Sequence, residues 1–279
     1  MRRINTTMTL RSLVLAGALV FGAAGAAQAQ AAYPSAEAAA DALATALART
    51  DRDALRHVLG DGFMRYVPEH EVDIDDVYAF LEGWAKSHSI EQVSPTQAQL
   101  VVGQGWHFPA PIVKGPRGWQ FDLRAGQAEM ARRRVGRNEV DTLATLKALC
   151  DAQAQYAQAH GQGKPARRIV SSTGQRDGLY WPTVDAAESP FGPDALVMDP
   201  STPGDAALNG YHYRLLAGDD AKGCAFVAWP ARYGSLGVHT FVIGPDRVIR
   251  ERDFGASSSA AASRIRSTQG IGEGWSAVQ

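Results

Sequence analysis

Cysteine is scarce in this 279-residue chain, where Cys150 and Cys224 are the only two. That excludes a dense disulfide framework and any C-x-x-C pair of the redox or zinc kind. An excess of positive charge is also missing, since 28 Lys and Arg face 29 Asp and Glu. A balance of this kind does not attract phosphate backbones, so no nucleic-acid partner is expected. The chain holds no H-E-x-x-H, G-x-S-x-G or G-x-G-x-x-G word and no phosphate loop. Its histidines, His57, His70, His88, His107, His160, His212 and His239, are scattered. No cofactor and no metal centre is therefore expected. Beyond the first thirty residues no stretch reaches the roughly 20 apolar residues that a membrane span requires.

What is present begins with an address. Arg2, Arg3 and Arg11 precede the apolar run Leu13 to Phe21, and Ala27-Gln28-Ala29 closes it with small residues. A basic start, a short apolar middle and an A-x-A exit read as a secretory leader, residues 1–29. An uncleaved anchor is the alternative, but the run is short and diluted with Gly and Ala. No Cys follows the leader, which excludes a lipid anchor there. The expected location is periplasmic or secreted, with no stable membrane insertion after cleavage. Losing three arginines makes the remaining surface mildly acidic, and roughly 250 residues suit two modest domains better than one core. In an oxidising compartment Cys150 and Cys224 could bridge. They could equally be two separately buried thiols, and spacing alone does not decide.

The pattern along the chain predicts an α+β fold with two domains. Ser35 caps a first helix to about residue 49, and Thr50-x-x-Asp53 resembles a capping box before a second that stops at Gly60. Val77, Phe80, Leu81 and Trp84 fall at i, i+3, i+4 and i+7, the stripe of a third helix. Strands are expected at 97–102, at 106–113 (pushed to an edge by Pro109 and Pro111) and at 119–123. These elements make an N-terminal α+β domain, residues 31–126, of helices around a curved antiparallel sheet. A basic connector, residues 127–137, follows; it reads as a solvated face rather than a nucleic-acid patch. Asn138 opens the longest helix, which carries Val140, Leu143, Leu146, Leu149 and Cys150 on one side. Short alternating strands at 211–216, 224–229, 238–243 and 248–252 complete a C-terminal helix-plus-sheet domain, residues 138–255, with a turn at Gly244-Pro245-Asp246-Arg247. The small, polar residues 256–279 predict a loosely held tail.

Several longer words then stand out: Trp106-His-Phe108-Pro109-Ala-Pro111, Gly118-Trp119-Gln-Phe121-Asp122, Gly136-Arg137-Asn138-Glu139, Arg176-Asp177-Gly178-Leu179-Tyr180-Trp181-Pro182 and Phe226-Val-Ala228-Trp229-Pro230. On these the chain resembles the bacterial exported family known as domain of unknown function 2950. The likeness implies an envelope or secreted location and no established activity, so no catalytic residues transfer. In pattern, residues 35–123 look like a nuclear transport factor 2-like domain. Residues 138–252 look like the soluble heads of type IV pilins and pseudopilins, without the apolar first half of a pilin helix.

The most chemically loaded segment is residues 171–182. Arg176 offers a planar fork for carboxylate or phosphate, Asp177 a charge, and Tyr180 and Trp181 stacking faces. These could line a recognition site, or Arg176 could pair with Asp177 or a carbonyl while Trp181 fills a core gap. A second candidate surface is the first domain's concave sheet, lined by Trp106, Phe108, Trp119 and Phe121. Glu69-His70-Glu71-x-Asp73-x-Asp75-Asp76 is dense in oxygen ligands, but it also precedes a helix, whose positive end stabilises acids. The balance favours a non-enzymatic module that binds a small ligand or an envelope protein. The rival is an envelope hydrolase or isomerase using a pocket of the first domain, with His57 and Asp122 as an acid-base pair. A plain structural spacer is the third class.

Overall fold

The computed structural model describes residues 30–66, 72, 74–182, 188–216 and 223–278. The leader, residues 69–71 and residue 73 of the acidic group lie outside the described residues.

Ser35 does cap α1 (Ala36–Ala48), its hydroxyl accepting from the Ala38 N–H at 3.1 Å. Ala36, Ala39, Ala40 and Leu43 form the buried face, and such small side chains let the helix approach a sheet closely. Asp51, rather than Thr50, caps α2 (Arg52–Leu59), accepting from the Asp53 and Ala54 N–H groups at 3.1 and 2.9 Å. Thr50 is spent on the turn, at a φ of 52°. Gly60 ends α2. The third helix, α3 (Ile74–Lys86), lies against the first sheet with Phe80 and Trp84 half-buried.

The first sheet runs β1 (His88–Ser94), β2 (Gln97–Val102), β4 (Ile112–Gly115), β5 (Gly118–Phe121), with β3 (Trp106–His107) attached to β2. The strand expected over 106–113 is thus two pieces. Pro109 and Pro111 cannot donate to a ladder, and the chain breaks between them and re-forms at Ile112. Tyr33 extends the sheet beyond β5 through two 2.8 Å backbone bonds to Trp119. Gly118 is required there, because a Cβ would stand 2.4 Å from the Tyr33 carbonyl oxygen.

Asp122 accepts from the Ala125 N–H at 2.9 Å and caps α4 (Leu123–Ala159). At 37 residues it is about 55 Å long. The longest helix therefore starts at Leu123 and not at Asn138, and the basic connector, residues 127–137, is part of it. No proline interrupts them, and Glu129 pairs with both Arg132 and Arg133, one turn away. None of residues 127–141 is buried, so the basic stretch is a helix face.

Past α4 come a short parallel pair, β6 (Arg168–Val170) and β7 (Gly178–Tyr180), and then an antiparallel sheet. Its order is β12-β11-β10-β9-β8, from β8 (Tyr211–Leu215), β9 (Phe226–Pro230), β10 (His239–Ile243), β11 (Ile249–Asp253) and β12 (Ser276–Ala277). The second half of α4 covers one face, where Leu146, Leu149 and Tyr156 meet Tyr211, Tyr213, Phe226 and Phe241. The other face holds Val227, Trp229 and Val242 beneath α5 (Ser258–Arg264) and Trp275. The segment expected to be a loose tail is thus folded. Ala262 is fully buried, and β12 pairs with β11, because the second face of a fully buried strand such as β9 needs a cover. A disulfide joins Cys150 of α4 to Cys224, just ahead of β9, with Cα atoms 4.8 Å apart. A separate apolar cluster, from Tyr33 to Leu123, fills the space between α1, α2 and the first sheet.

Candidate ligand groove

Buried Gln153 fixes where the chain enters β6. Its amide donates to the Ala166 carbonyl at 3.1 Å and accepts from the Ala166 N–H at 2.8 Å. The loop from β6 to β7 is tied down in turn by Asp177. That carboxylate accepts from the Ser172 N–H at 2.7 Å and the Ser172 hydroxyl at 3.0 Å, and it pairs with Arg168 at 3.3 Å. The Ser172 N–H above all holds its pKa below the usual carboxylate range. Tyr156 of α4 donates to the Arg176 carbonyl at 2.8 Å. Trp181 is only 4 % exposed and packs in the main core, edge-on to His160. The Arg176 guanidinium lies 5.7 Å above its ring. Asp177 therefore pairs with Arg168, a contact that sequence spacing did not suggest. Tyr180 is half-buried in β7.

Next to this loop opens a groove of 760 Å³, bordered by β6, the 3₁₀ turn Pro193–Val197 with the residues after it, and β8. Arg167 and Arg168 stand on one wall and Arg214 on the other. Asp199 is the only acid among the lining residues. It accepts from the Ser201 hydroxyl at 2.5 Å and the Ser201 N–H at 2.7 Å, which lower its pKa. Arg214 donates to the carbonyls of Ala262 and Ile265 at 2.7 and 2.8 Å, at the C-terminal end of α5. Burial, and then the charge of Arg266, lower its pKa. His212, beside Asp199, is held toward its neutral form by burial, against the pull of Asp199. Ser201, Asp199 and His212 do not make a hydrolytic relay: the serine bonds the carboxylate, while the imidazole Nδ1 has no partner among the described residues.

The residues read as a concave aromatic face lie apart from this groove. Trp119 is only 9 % exposed, packed with α1 and Tyr33, with Lys114 over its ring at 5.9 Å. Phe121 is buried in the same cluster. Trp106 is 46 % exposed and stands edge-on to Phe80 and Phe108, with the Arg133 guanidinium 5.4 Å above it. His57 is exposed on α2, Asp122 is committed to capping α4, and no bond joins the two among the described residues. Sequence reasoning missed one convergence altogether. Glu139 Oε1 accepts from the Val238 and His239 N–H groups at 2.9 and 3.0 Å and from the Tyr211 hydroxyl at 3.2 Å, with His239 Nδ1 also 3.2 Å away. Asn138 donates to the Leu236 carbonyl at 2.8 Å alongside it. Burial, reinforced by Glu139, raises the Tyr211 pKa strongly.

Among the described residues, fold and groove define a mixed helix-and-sheet protein with one disulfide and an open, arginine-bordered slot between two strands. No helix among them is long and apolar enough to cross a membrane. The chain belongs to the family described as protein of unknown function (DUF2950), which it matches over residues 30–278. No curated protein and no solved structure matches it.

Proposed function

We propose that this is an exported, non-enzymatic envelope protein that binds an anionic ligand or an acidic stretch of another envelope protein in the groove between β6 and β8. One observation carries the reading: three arginines border an open groove whose single carboxylate, Asp199, is already occupied by Ser201. A volume of 760 Å³ lies within the range of small-ligand sites. Asp177 contributes by orienting Arg168, so the loop at 171–182 acts behind the groove rather than as its lining. Export rests on the basic start, the apolar run and the A-x-A exit of residues 1–29. Two modules divide the work in this reading. The first sheet with α1 to α3 is a nuclear transport factor 2-like unit, and the second half of α4 with the later sheet is a pilin-head-like unit. Element order, and an apolar cluster under the first sheet separate from the two that flank the later sheet, support the division.

The test uses the chain from residue 30 onward and fluorescein-labelled hexaglutamate, read by anisotropy at low salt. Binding that falls at least tenfold with Arg167→Glu plus Arg168→Glu supports the groove. Equal affinity in that double variant, or no binding by the unaltered chain, overturns it. N-terminal sequencing of protein recovered from the producing cell's envelope should begin at Gln30, and an intact Met1 in the cytosol overturns export.

A further inference from the structure

We infer that the occupant of the groove is an extended acidic peptide that adds as a new strand along the outer edge of β8, a conclusion that rests on the groove reading above. β8 is the last strand of its sheet, so the register decides which of its backbone groups face outward. The Leu216 N–H donates inward to the Ala225 carbonyl at 2.8 Å. Tyr211 lies opposite Pro230, which has no N–H to offer. Alternation along the ladder then turns the N–H and C=O groups of Tyr211, Tyr213 and Leu215 away from β9.

The chain covers the first part of that edge itself. Tyr211 N–H donates to the Leu208 carbonyl and Tyr213 N–H to the Met198 carbonyl, both at 2.9 Å. Beyond Met198 no described residue bonds to the outer edge through its backbone. The Tyr213 carbonyl and the Leu215 N–H have no backbone partner outside β9 among the described residues, and both residues border the groove. A carbonyl at one position and an N–H two residues later are the two groups that a single residue of a parallel neighbour satisfies, its N–H donating to the first and its C=O accepting from the second. An unsatisfied strand edge of this kind is a template for strand addition.

Charge selects the peptide. Across the groove stand Arg167 and Arg168, and Arg167 has no side-chain hydrogen bond or ion pair among the described residues. Side chains flanking the paired residue would meet these guanidinium groups, which favour carboxylates and repel lysine. Main-chain bonds supply affinity, and the arginines supply the choice of Asp or Glu over other residues.

The experiment titrates the ¹⁵N-labelled chain from residue 30 onward with three capped pentapeptides. These are Val-Glu-Val-Glu-Val, the same peptide N-methylated at its central amide, and Val-Lys-Val-Lys-Val. The acidic peptide should bind, slow hydrogen exchange at the Leu215 amide, and lose at least tenfold in affinity on N-methylation; the lysine peptide should not bind. Arg167→Glu, an exposed change that leaves the core alone, should weaken the acidic peptide at least tenfold. If the methylated and unmethylated acidic peptides bind equally and Leu215 exchange is unchanged, strand addition is overturned while the anion-binding groove stands. If no acidic pentapeptide binds while hexaglutamate does, strand addition is overturned and the groove stands; if hexaglutamate does not bind either, or the lysine peptide binds as well as the acidic one, both readings fail together.

Discussion

Glu139 of α4 reaches the start of β10, where its carboxylate accepts from the His239 N–H at 3.0 Å and lies 3.2 Å from the Nδ1 of the same residue. One side chain thus satisfies the Val238 and His239 amides at once, close to where α4 meets the later sheet, and stands 3.2 Å from the Tyr211 hydroxyl, which also reaches the His239 carbonyl at 3.0 Å. Charge-assisted bonds of this kind are stronger than neutral ones, and removing the acceptor leaves donors that must be desolvated without return. Glu139→Ala should therefore cost about 2–3 kcal/mol in urea unfolding. Glu139→Gln, which keeps an acceptor oxygen, should cost about half as much. Equal stability of both variants and the unaltered chain would show that the capture is not structural.

This convergence marks where sequence reading stops. Gly136-Arg137-Asn138-Glu139 stood out as a word, but its partners lie some hundred residues away in the chain. Periodicity sees neighbours on one element and not an acceptor delivered from another. Local signals did better: the Ser35 cap, the bounds of β2 and the strands β8 to β11 follow from caps, alternation and turn residues. The parallel pair β6 and β7 escaped because three-residue strands carry too little alternation to count. α5 escaped because its Ser- and Ala-rich sequence reads as a tail until Trp229 and Val242 are known to need cover. Arg167 and Arg168 are visible as a basic pair. Their juxtaposition with Arg214 depends on how β6 meets β8, and no local pattern encodes that.

The disulfide closes a long loop, Cys150 and Cys224 being 74 positions apart in the chain. Cross-linking so much chain limits the unfolded ensemble by about 4 kcal/mol on the chain-entropy account. Cys150→Ala with Cys224→Ala, or reduction under non-denaturing conditions, should lower stability by roughly that amount. Chemical unfolding with and without reductant measures it, and reductant should have no effect on the double variant.

Two tryptophans of the family words should behave differently. Trp181→Ala empties a space among Tyr156, Leu179 and the later sheet and should cost about 3–5 kcal/mol. Trp106 is almost half exposed and capped by Arg133, so Trp106→Ala should cost about 1 kcal/mol, mainly from the lost cation–π and edge contacts. Thermal melts of the two variants separate them. Similar losses would show that Trp106 is a core residue in solution.

Acid should destabilise the protein through His212 before it does so through the carboxylates. Burial holds the His212 pKa below its ordinary value of 6.5, so the folded chain resists the proton that the unfolded chain accepts. The stability this group contributes is complete above about pH 6.5 and falls as pH drops toward its folded value. Asp177 and Asp199 are also depressed, from an ordinary 3.8, and their contribution is lost only at lower pH, as each is protonated in the folded state. Unfolding free energy measured from pH 7.5 to 5 should slope downward in the unaltered chain. His212→Phe, which keeps a ring beside Trp229 and removes the titrating nitrogen, should flatten that slope while leaving the steeper loss below about pH 4 in place. A slope unchanged by His212→Phe would place the acid sensitivity elsewhere.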